Sequence, residues 1–323
     1  MHDHSRHRAP LWAALVAAAA FGALMSVQSR INGELGRRLD DGFTAAAISF
    51  GTGLVLLAVA LAFSRRGRAG FAGVGRALRE GRLSWWMLLG GLAGAFLVLS
   101  QGLTAALLGV ALFTVAIVAG QTVSGLVIDL IGLGPGGRHP ITAPRTIGAT
   151  LALAAVTVAV SAQLGTGIAI WWVLLPLLAG LGTGWQQAVN GRVRVEAASA
   201  LTATFLNFAS GTAVLVAAAL VRIAIAGPPD AFPTEPWLYV GGALGCVFIA
   251  GSAVIVRRTG VLLLSLATIA GQLASALALD LLLPVPGRHV DAATVVGTLL
   301  AFIAVGIASG RPAFLRLGFR RGS

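Results

Sequence analysis

The chain has 323 residues, of which 57% are apolar and only 11% are charged, and its mean hydropathy is +0.89. A soluble domain carries about 25% charged residues, so this composition excludes a water-soluble fold. All 23 basic residues are arginine, against 11 acidic residues, for a net charge of +12, and nearly all of these arginines lie between the apolar blocks rather than on one basic face. The sequence therefore indicates a membrane protein and gives no support to a nucleic-acid partner.

Ten apolar segments of about 18 to 25 residues follow one another, and each can cross a hydrocarbon layer of ~30 Å. We predict an all-α polytopic membrane protein with ten transmembrane helices. In chain order, the predicted spans cover residues 11–30, 43–63, 84–104, 107–131, 144–162, 169–190, 200–224, 237–256, 261–283 and 291–309. Arg6 and Arg8 ahead of the first span also fit a cleaved signal peptide, but an internal counterpart of this span at 169–190 indicates that it is retained.

The arginines predict how the chain is oriented. If the N-terminus is cytoplasmic, 18 arginines fall on the cytoplasmic side and 5 on the other, and six of the 18 lie in the loop 64–83. Positive residues stay on the cytoplasmic side during insertion, so we expect both termini in the cytoplasm of a bacterial-type inner membrane. Contact with anionic lipids is a natural addition to this arrangement.

The sequence repeats itself. At an offset of 158 residues an amide–glycine motif aligns with its own copy, namely Gln28, Asn32 and Gly33 with Gln186, Asn190 and Gly191. At an offset of 151, the segment that ends at Asp129 aligns with the segment that ends at Asp280. We therefore predict two five-helix units, residues 1–163 and 164–323. Because five is odd, the second unit has inverted topology, as in many secondary transporters.

Two motifs occur twice in the same order: G-x5-Q-x3-N-G running into T-A-x4-F-x2-G, and A-G-Q-x2-S-x4-D. With these motifs, essentially the whole chain resembles the YdcZ-like branch of the drug/metabolite transporter (DMT) superfamily, which includes EamA-like proteins, as two fused units. The resemblance implies a ten-helix inner-membrane exporter with a cavity between the halves, and it implies no substrate. Small multidrug members carry a glutamate in the middle of the first helix. Here the polar residues are Gln28 and Gln186, which disfavours a proton-coupled cation antiport of that kind.

Amide side chains inside the spans are the candidates for substrate contact. An amide in hydrocarbon loses its hydrogen bonds to water, so it must face a partner helix or a wet cavity. We predict a substrate site formed by the glutamines together with one tryptophan as a cavity wall: Gln28, Gln121, Trp185, Gln186 and Gln272. The alternative is packing between helices, at about 0.6 kcal/mol per hydrogen bond.

The Asn-Gly pairs allow two interpretations. A spacing of four places Gln28 with Asn32, and Gln186 with Asn190, on one helical face that could line a cavity mouth. Alternatively, Asn32 and Gly33, like Asn190 and Gly191, end their helices, because both residue types are common where a helix stops. The sequence favours the helix-end interpretation for the asparagines.

Asp129 and Asp280 are acids that lie within the predicted spans. A charge at the centre of a span costs about 2.5–3.5 kcal/mol, so a partner is expected. By topology Asp129 lies near the cytoplasmic face with Arg192 and Arg194, and Asp280 lies near the outer face with Arg30. We predict two gating ion pairs, Asp129 with Arg192 or Arg194 and Asp280 with Arg30. The alternative is that both acids are solvated at helix ends.

These features favour a secondary-active exporter of a small metabolite or drug-like molecule that works by alternating access. The absence of a midplane acid suits a neutral or zwitterionic solute. A non-transporting membrane scaffold and a lipid translocator remain alternatives, and the sequence leaves a homodimer open. Enzyme chemistry finds no support, because lysine is absent and no histidine lies inside a span. We expect no cofactor and no metal; the expected partners are a small-molecule substrate and the lipid bilayer.

Overall fold

The computed structural model describes residues 11–135, 137–138, 140, 142–161, 170–284 and 290–308, and all regular elements within these residues are helical. The α-helices are α1 Leu11–Leu39, α2 Gly42–Ala62, α3 Arg65–Arg79, α4 Gly91–Ser100, α5 Ala106–Leu108, α6 Val110–Ile131, α7 Ala143–Ser161, α8 Leu174–Ala197, α9 Ala200–Ala226, α10 Gly241–Leu282 and α11 Ala292–Ala308. Short 3₁₀ turns precede α4, α8 and α10 at Trp85–Gly90, Ile170–Val173 and Pro236–Tyr239, and a π-helical turn, Gln101–Ala105, joins α4 to α5.

The all-α prediction is confirmed. In the described part of the chain, six helices are long and apolar enough to cross a membrane: Trp12–Leu39, Gly42–Ala62, Trp85–Leu108, Val110–Ile131, Ala143–Ser161 and Ala200–Ala226. Two shorter apolar helices, Ala267–Leu282 and Ala292–Ile307, follow. The count of ten spans stays a prediction, and the predicted boundary between the two units, at 163–164, lies outside the described residues.

The corners between α1 and α2 and between α8 and α9 are built alike. Each first helix is followed by a residue with left-handed backbone, Asp40 at φ 49° and Ala198 at φ 48°. The next residue, Asp41 or Ser199, caps the following helix by accepting hydrogen bonds from backbone N–H groups of its first turn. These corners fix where α1 and α8 end.

We call the side of the molecule where α1 ends the Leu39 side, and the side where α2 ends the Ala62 side. On the Ala62 side, α3 is a short amphipathic helix where the sequence predicts a loop. Its apolar face packs on α8 and α9, and the Thr202 hydroxyl donates to the Gly67 carbonyl oxygen at 2.6 Å. The sequence predicts no span at α3 because its arginines make the segment too polar, although its apolar residues recur at helical spacing.

The two ends of the segment assigned to α10 run in opposite directions along α1. A straight helix of its 42 residues would be about 63 Å long. Yet Gly241, at its start, lies against Asn32, and the Leu283 carbonyl that follows its end accepts a hydrogen bond from Arg30, at the same end of α1. The chain therefore turns back between its two ends. The sequence predicts a break at 257–260 between two spans, and the reversal lies in this part of the chain, between Gly251, which lies against Phe21, and Thr268, which lies against Gly22.

Four sets of helix contacts build the core. α1 packs along α10, α8 packs on α4 and α6, α2 packs on α9, and α7 packs on α11. Where α1 crosses α10, a Cβ atom at Gly22 would lie 1.9 Å from the Thr268 carbonyl oxygen; where α6 crosses α8, a Cβ at Gly180 would lie 2.2 Å from the Ile117 carbonyl oxygen. Such small residues allow helix backbones to approach closely in membranes. Between α2 and α9, Phe50 stacks on Phe208 with ring centroids 4.8 Å apart.

Candidate functional site

A buried amide cluster lies between α1, α2 and the π-helical turn, nearer the Leu39 side. The Asn32 amide donates to Gln101 Oε1 at 2.7 Å, and the Gln101 amide donates to Ser29 Oγ at 3.0 Å. Ser49 lies beside Asn32 against Gly241, Gln28 lies one helical turn before Asn32 in α1, and we include both in this Asn32 cluster; all five residues are buried. Asn32 Oδ1 and Ser49 Oγ both lie against Gly241 and are buried without a hydrogen-bond partner among the described residues. The cluster thus keeps unused hydrogen-bonding capacity.

A second amide cluster lies between α8 and α9, nearer the Ala62 side. Gln186 Nε2 donates to Asn207 Oδ1 at 3.0 Å, and Asn207 Nδ2 donates to Asn190 Oδ1 at 3.2 Å. Asn190 lies against Gly90, as Asn32 lies against Gly241. In this Asn190 cluster, Asn207 is buried, whereas Gln186 and Asn190 are half-buried and reach solvent-accessible surface.

The remaining predicted glutamines lie at helix crossings. Gln272 is buried in α10, and its backbone carbonyl accepts a hydrogen bond from Ser26 Oγ at 2.7 Å. Gln121 is half-buried in α6, beside the close approach of Gly180. None of the contacts in the described residues joins Gln121 to Gln272, or either of them to the two amide clusters. The structure therefore places Gln186 in a polar network, sets Gln28 one helical turn from Asn32 and against Gly245, and leaves Gln121 and Gln272 at crossings.

Trp185 lies beside the Asn190 cluster. Its ring stacks on Trp86 with centroids 6.4 Å apart, and both rings pack against an apolar group that includes Val189 and Val193. Trp185 therefore supports helix packing beside Gln186, and its role as a cavity wall stays a prediction.

The helix-end interpretation of the asparagines is wrong. Asn32 and Gly33 lie inside α1, which continues to Leu39, and Asn190 and Gly191 lie inside α8, which continues to Ala197. The helices continue because stronger stop signals follow: the positive-φ residues and the capping side chains at the two corners. The asparagines are therefore interior helical residues that can face a neighbouring helix.

Asp280 is not paired with Arg30 as predicted. Its carboxylate accepts hydrogen bonds from the backbone N–H groups of Val110 at 3.0 Å and Ala111 at 2.7 Å. These N–H groups begin α6 and have no helical partner of their own, because the chain breaks at Gly109. A carboxylate at a helix N-terminus also benefits from the helix dipole. Arg30 donates instead to the Leu283 carbonyl, and its Nη1 is buried without a partner in the described residues.

Asp129 is not paired with Arg192 or Arg194. It forms a salt bridge with Arg145, at the start of α7, and both side chains are about one-third exposed. Arg192 and Arg194 are half-buried in α8 and form no ion pair within the described residues. The partner was missed because Arg145 follows Asp129 along the chain through a loop whose path the sequence does not define.

Another ionic contact lies at the Leu39 side. Arg38 bonds to Glu34 and to Glu235, and it lies 5.9 Å from the centroid of the Trp237 ring. Its hydrogen bond to Glu235 holds the pKa of that carboxyl below its usual range. This contact ties the end of α1 to the 3₁₀ turn before α10.

Sequence reasoning missed several residues of the two clusters. Gln101 and Asn207 are amides inside apolar segments, so the argument that selected Gln28 applies to them equally. Ser29 and Ser49 carry no comparable signal, because small hydroxyl residues are common in membrane helices.

The family comparison agrees with this architecture. Residues 13–158 and 171–307 match the family DMT_YdcZ, described as "Putative inner membrane exporter, YdcZ". The match covers most of the chain, and the protein therefore belongs to this family. Its described role is that of an exporter, which is a transporter rather than an enzyme, and it places the chain in the inner membrane as a multi-pass protein. No curated protein matches the sequence.

Proposed function

We propose that this protein is a secondary-active exporter that moves a small molecule across the inner membrane by alternating access. Two inverted five-helix repeats, residues 1–163 and 164–323, would exchange shapes around a site between them. The membership of an exporter family supports the direction of transport. Inverted repeats allow such an exchange because near-equivalent halves can adopt either of two arrangements.

Matching contacts at repeat-related positions support the inverted repeat. Asn32 lies against Gly241 and Asn190 against Gly90, where offsets of 158 and 151 relate one pair to the other. The same offsets relate the crossing of α1 with α10 to the crossing of α8 with α6. Phe50 and Phe208, also 158 residues apart, stack on each other, as residues beside a pseudo-twofold axis would.

A difference in exposure between repeat-related residues carries this proposal. On the Leu39 side, Gln28 and Asn32 are 5% and 0% exposed. Their counterparts nearer the Ala62 side, Gln186 and Asn190, are half-buried and reach the surface. Two copies of one motif thus occupy a closed and an open environment in a single chain. We expect this asymmetry of a transporter that is closed on one side of the membrane and open on the other.

The orientation follows from the arginines. With both termini cytoplasmic, the Ala62 side with α3 faces the cytoplasm, and the Leu39 side faces outward. The structure then corresponds to an inward-open state, ready to take up substrate from the cytoplasm. The Asn190 cluster consists of amides, and the Asn32 cluster consists of amides and hydroxyls. This chemistry suits a neutral or zwitterionic polar substrate that exchanges hydrogen bonds with Gln186, Asn190 and the unused Asn32 Oδ1.

Purified protein in liposomes tests this proposal. A thermal-shift screen of metabolites and drugs selects compounds, and uptake or efflux is followed under an imposed pH gradient. We expect one compound class to stabilise the protein and to cross the bilayer, with both effects lost in Gln186→Leu. Gln187→Leu is the matched control, because Gln187 is exposed and belongs to neither cluster. If nothing binds or moves while the protein co-purifies with a fixed partner, a scaffold role replaces transport.

A further inference from the structure

A groove lies on the Leu39 side of the molecule, between the start of α2 and the end of α9. It has a volume of about 400 Å³. Its lining consists of one aromatic, four aliphatic and one basic residue: Phe43, Ala217, Ala218, Val221, Ile225 and Arg222. None of these residues belongs to the Asn32 cluster or the Asn190 cluster, so the groove is separate from the polar networks of the proposed transport site.

The side chains of the groove place it in contact with lipid. Val221 and Ile225 are 59% and 80% exposed. Helix α9 is long and apolar enough to cross a membrane, and most residues of its apolar stretch are not buried inside the protein. An exposed apolar surface of this kind marks a site of membrane interaction. The groove is therefore open to acyl chains of the bilayer.

Arg222 lies at the level of the headgroups. It precedes Ala226, the last residue of α9, by four residues, which is about 6 Å along the helix axis. An arginine near the end of a membrane helix keeps its aliphatic stem along apolar surface and extends its guanidinium to the interface. Arg222 therefore joins the apolar groove to the polar surface of the bilayer.

The guanidinium of Arg222 has no counterion in the part of the chain that the structure describes. Its Nη1 atom is buried and has no hydrogen-bond partner there. Arg37 and Arg38, on the same side of the molecule, pair instead with Glu34. A buried cation without a partner destabilises a protein, and a guanidinium binds phosphate oxygens through paired N–H donors. Arg222 is thus suited to an anion that comes from outside the chain.

We propose that the groove binds one anionic phospholipid of the leaflet on the Leu39 side. The lipid phosphate accepts hydrogen bonds from Arg222, and one acyl chain lies in the groove against Phe43 and Val221. None of the lining residues is acidic. A zwitterionic lipid would leave its ammonium group without a partner there, so a lipid with net negative charge, such as phosphatidylglycerol, is favoured. This site goes beyond the proposed transport and does not depend on it.

Lipid binding to the full chain, purified and delipidated in detergent, tests the proposal. In the parent protein for this test, Arg65, Arg76 and Arg79 are replaced by glutamine, which removes the exposed arginines of α3 on the opposite side. Native mass spectrometry counts the bound molecules as phosphatidylglycerol is added, and phosphatidylcholine with the same acyl chains is measured in parallel. We expect one phosphatidylglycerol to bind more tightly than phosphatidylcholine.

The charge of the site is tested at Arg222. Arg222→Gln should weaken the binding of phosphatidylglycerol on the order of tenfold, because the charged hydrogen bonds to phosphate are lost. Arg222→Lys keeps the charge and should retain part of the affinity. Arg37→Gln is the matched control on the same side, and it should leave lipid binding unchanged because Arg37 already pairs with Glu34.

The groove itself is tested with the charge in place. Ala218→Phe fills the groove and should also weaken the binding of phosphatidylglycerol. Ala224→Phe is the matched control, because Ala224 is exposed in the same helix and does not line the groove. Inorganic phosphate in large excess should not displace the lipid, since it gains nothing from the apolar lining.

Three results would overturn this lipid site. The first is parental affinity for phosphatidylglycerol in Arg222→Gln or in Ala218→Phe, and either variant decides this should the other not fold. The second is an equal loss in Arg37→Gln or Ala224→Phe, which would show unspecific binding. The third is displacement of the lipid by inorganic phosphate, which would indicate a site for free anions. Each of these results leaves the transport proposal unchanged.

Discussion

At the scale of single residues, the two amide clusters differ in how fully their hydrogen bonds are used. Asn207 bonds to both Gln186 and Asn190, whereas its repeat counterpart, Ser49, has a buried hydroxyl with no partner among the described residues. A buried polar atom without a hydrogen-bond partner destabilises the folded protein, and a hydrogen bond to that atom offsets this loss. The two positions therefore offer a matched pair.

Asn207→Ala should lower the free energy of unfolding by about 1–2 kcal/mol, because it removes two side-chain hydrogen bonds between helices. Ser49→Ala should be neutral or slightly stabilising, because it removes an unsatisfied hydroxyl. Unfolding in mixed micelles with increasing denaturing detergent measures both. Equal losses in the two variants would contradict the network.

The glutamines were predictable at this scale, and their partners were not. An amide in an apolar segment must find a partner, and this argument selects Gln28 and Gln186. The partner of Asn32, however, is Gln101, 69 residues away, and the oxygen that Ser26 contacts belongs to Gln272, 246 residues away. Such pairings depend on which helices become neighbours, which local sequence does not encode.

At the scale of helices, close approach of backbones holds α6 against α8. A Cβ at Gly120 would lie 2.1 Å from the Leu177 carbonyl oxygen, whereas Gly125, in the same helix, has open space around it. Without a hydrophobic driving force between helices in lipid, close packing of this kind supplies much of the association.

Gly120→Ala should therefore destabilise the protein by about 1–3 kcal/mol, because the helices must separate to admit the methyl group. Gly125→Ala should be neutral or stabilising, since alanine is the better helix former. Thermal unfolding of the two variants in the same detergent distinguishes these effects. A larger loss in Gly125→Ala than in Gly120→Ala would show that α6 and α8 do not cross at Gly120.

Helix α3 presents an exposed basic face. Arg65, Arg76 and Arg79 lie on one exposed face, and their side chains form no hydrogen bond or ion pair with any described residue, whereas the Arg66 side chain donates to the Ala198 carbonyl oxygen. The helix begins directly after α2 ends, beside the exposed Phe63. Its free arginines are placed to meet anionic lipid headgroups.

Replacing Arg65, Arg76 and Arg79 together with glutamine should remove most of the preference for anionic over zwitterionic lipid, about 1 kcal/mol per arginine. The measurement is the unfolding temperature in nanodiscs of phosphatidylglycerol against phosphatidylcholine. Arg66→Gln is the control and should lower stability equally in both lipids, because it breaks a contact within the protein. If the lipid preference is unchanged in the triple variant, these arginines do not bind anionic lipid and only set the orientation of the chain in the membrane.

At the scale of the whole molecule, the orientation of the chain is the property on which the transport proposal depends. The arginine distribution predicts both termini in the cytoplasm. A fluorescent reporter that matures only in the cytoplasm should fluoresce when fused after residue 323 and stay dark when inserted in the loop 227–235. The opposite pattern would reverse the assignment of inward-open and outward-open sides.

The sequence by itself determined the class of protein and the helical fold, and it predicts the repeat. These properties follow from composition, from the length of apolar segments and from residues such as Gln28 and Gln186 that recur at a fixed offset, all of which are local or periodic. Only the tertiary structure decided what the polar residues contact. It placed Asn32 inside α1 rather than at its end. It paired the Asp280 carboxylate with backbone N–H groups at the N-terminus of α6, and it paired Asp129 with Arg145 in a salt bridge. The physical reason is that a buried polar group takes whichever partner packing brings within hydrogen-bond distance, and packing is decided by the whole set of helices.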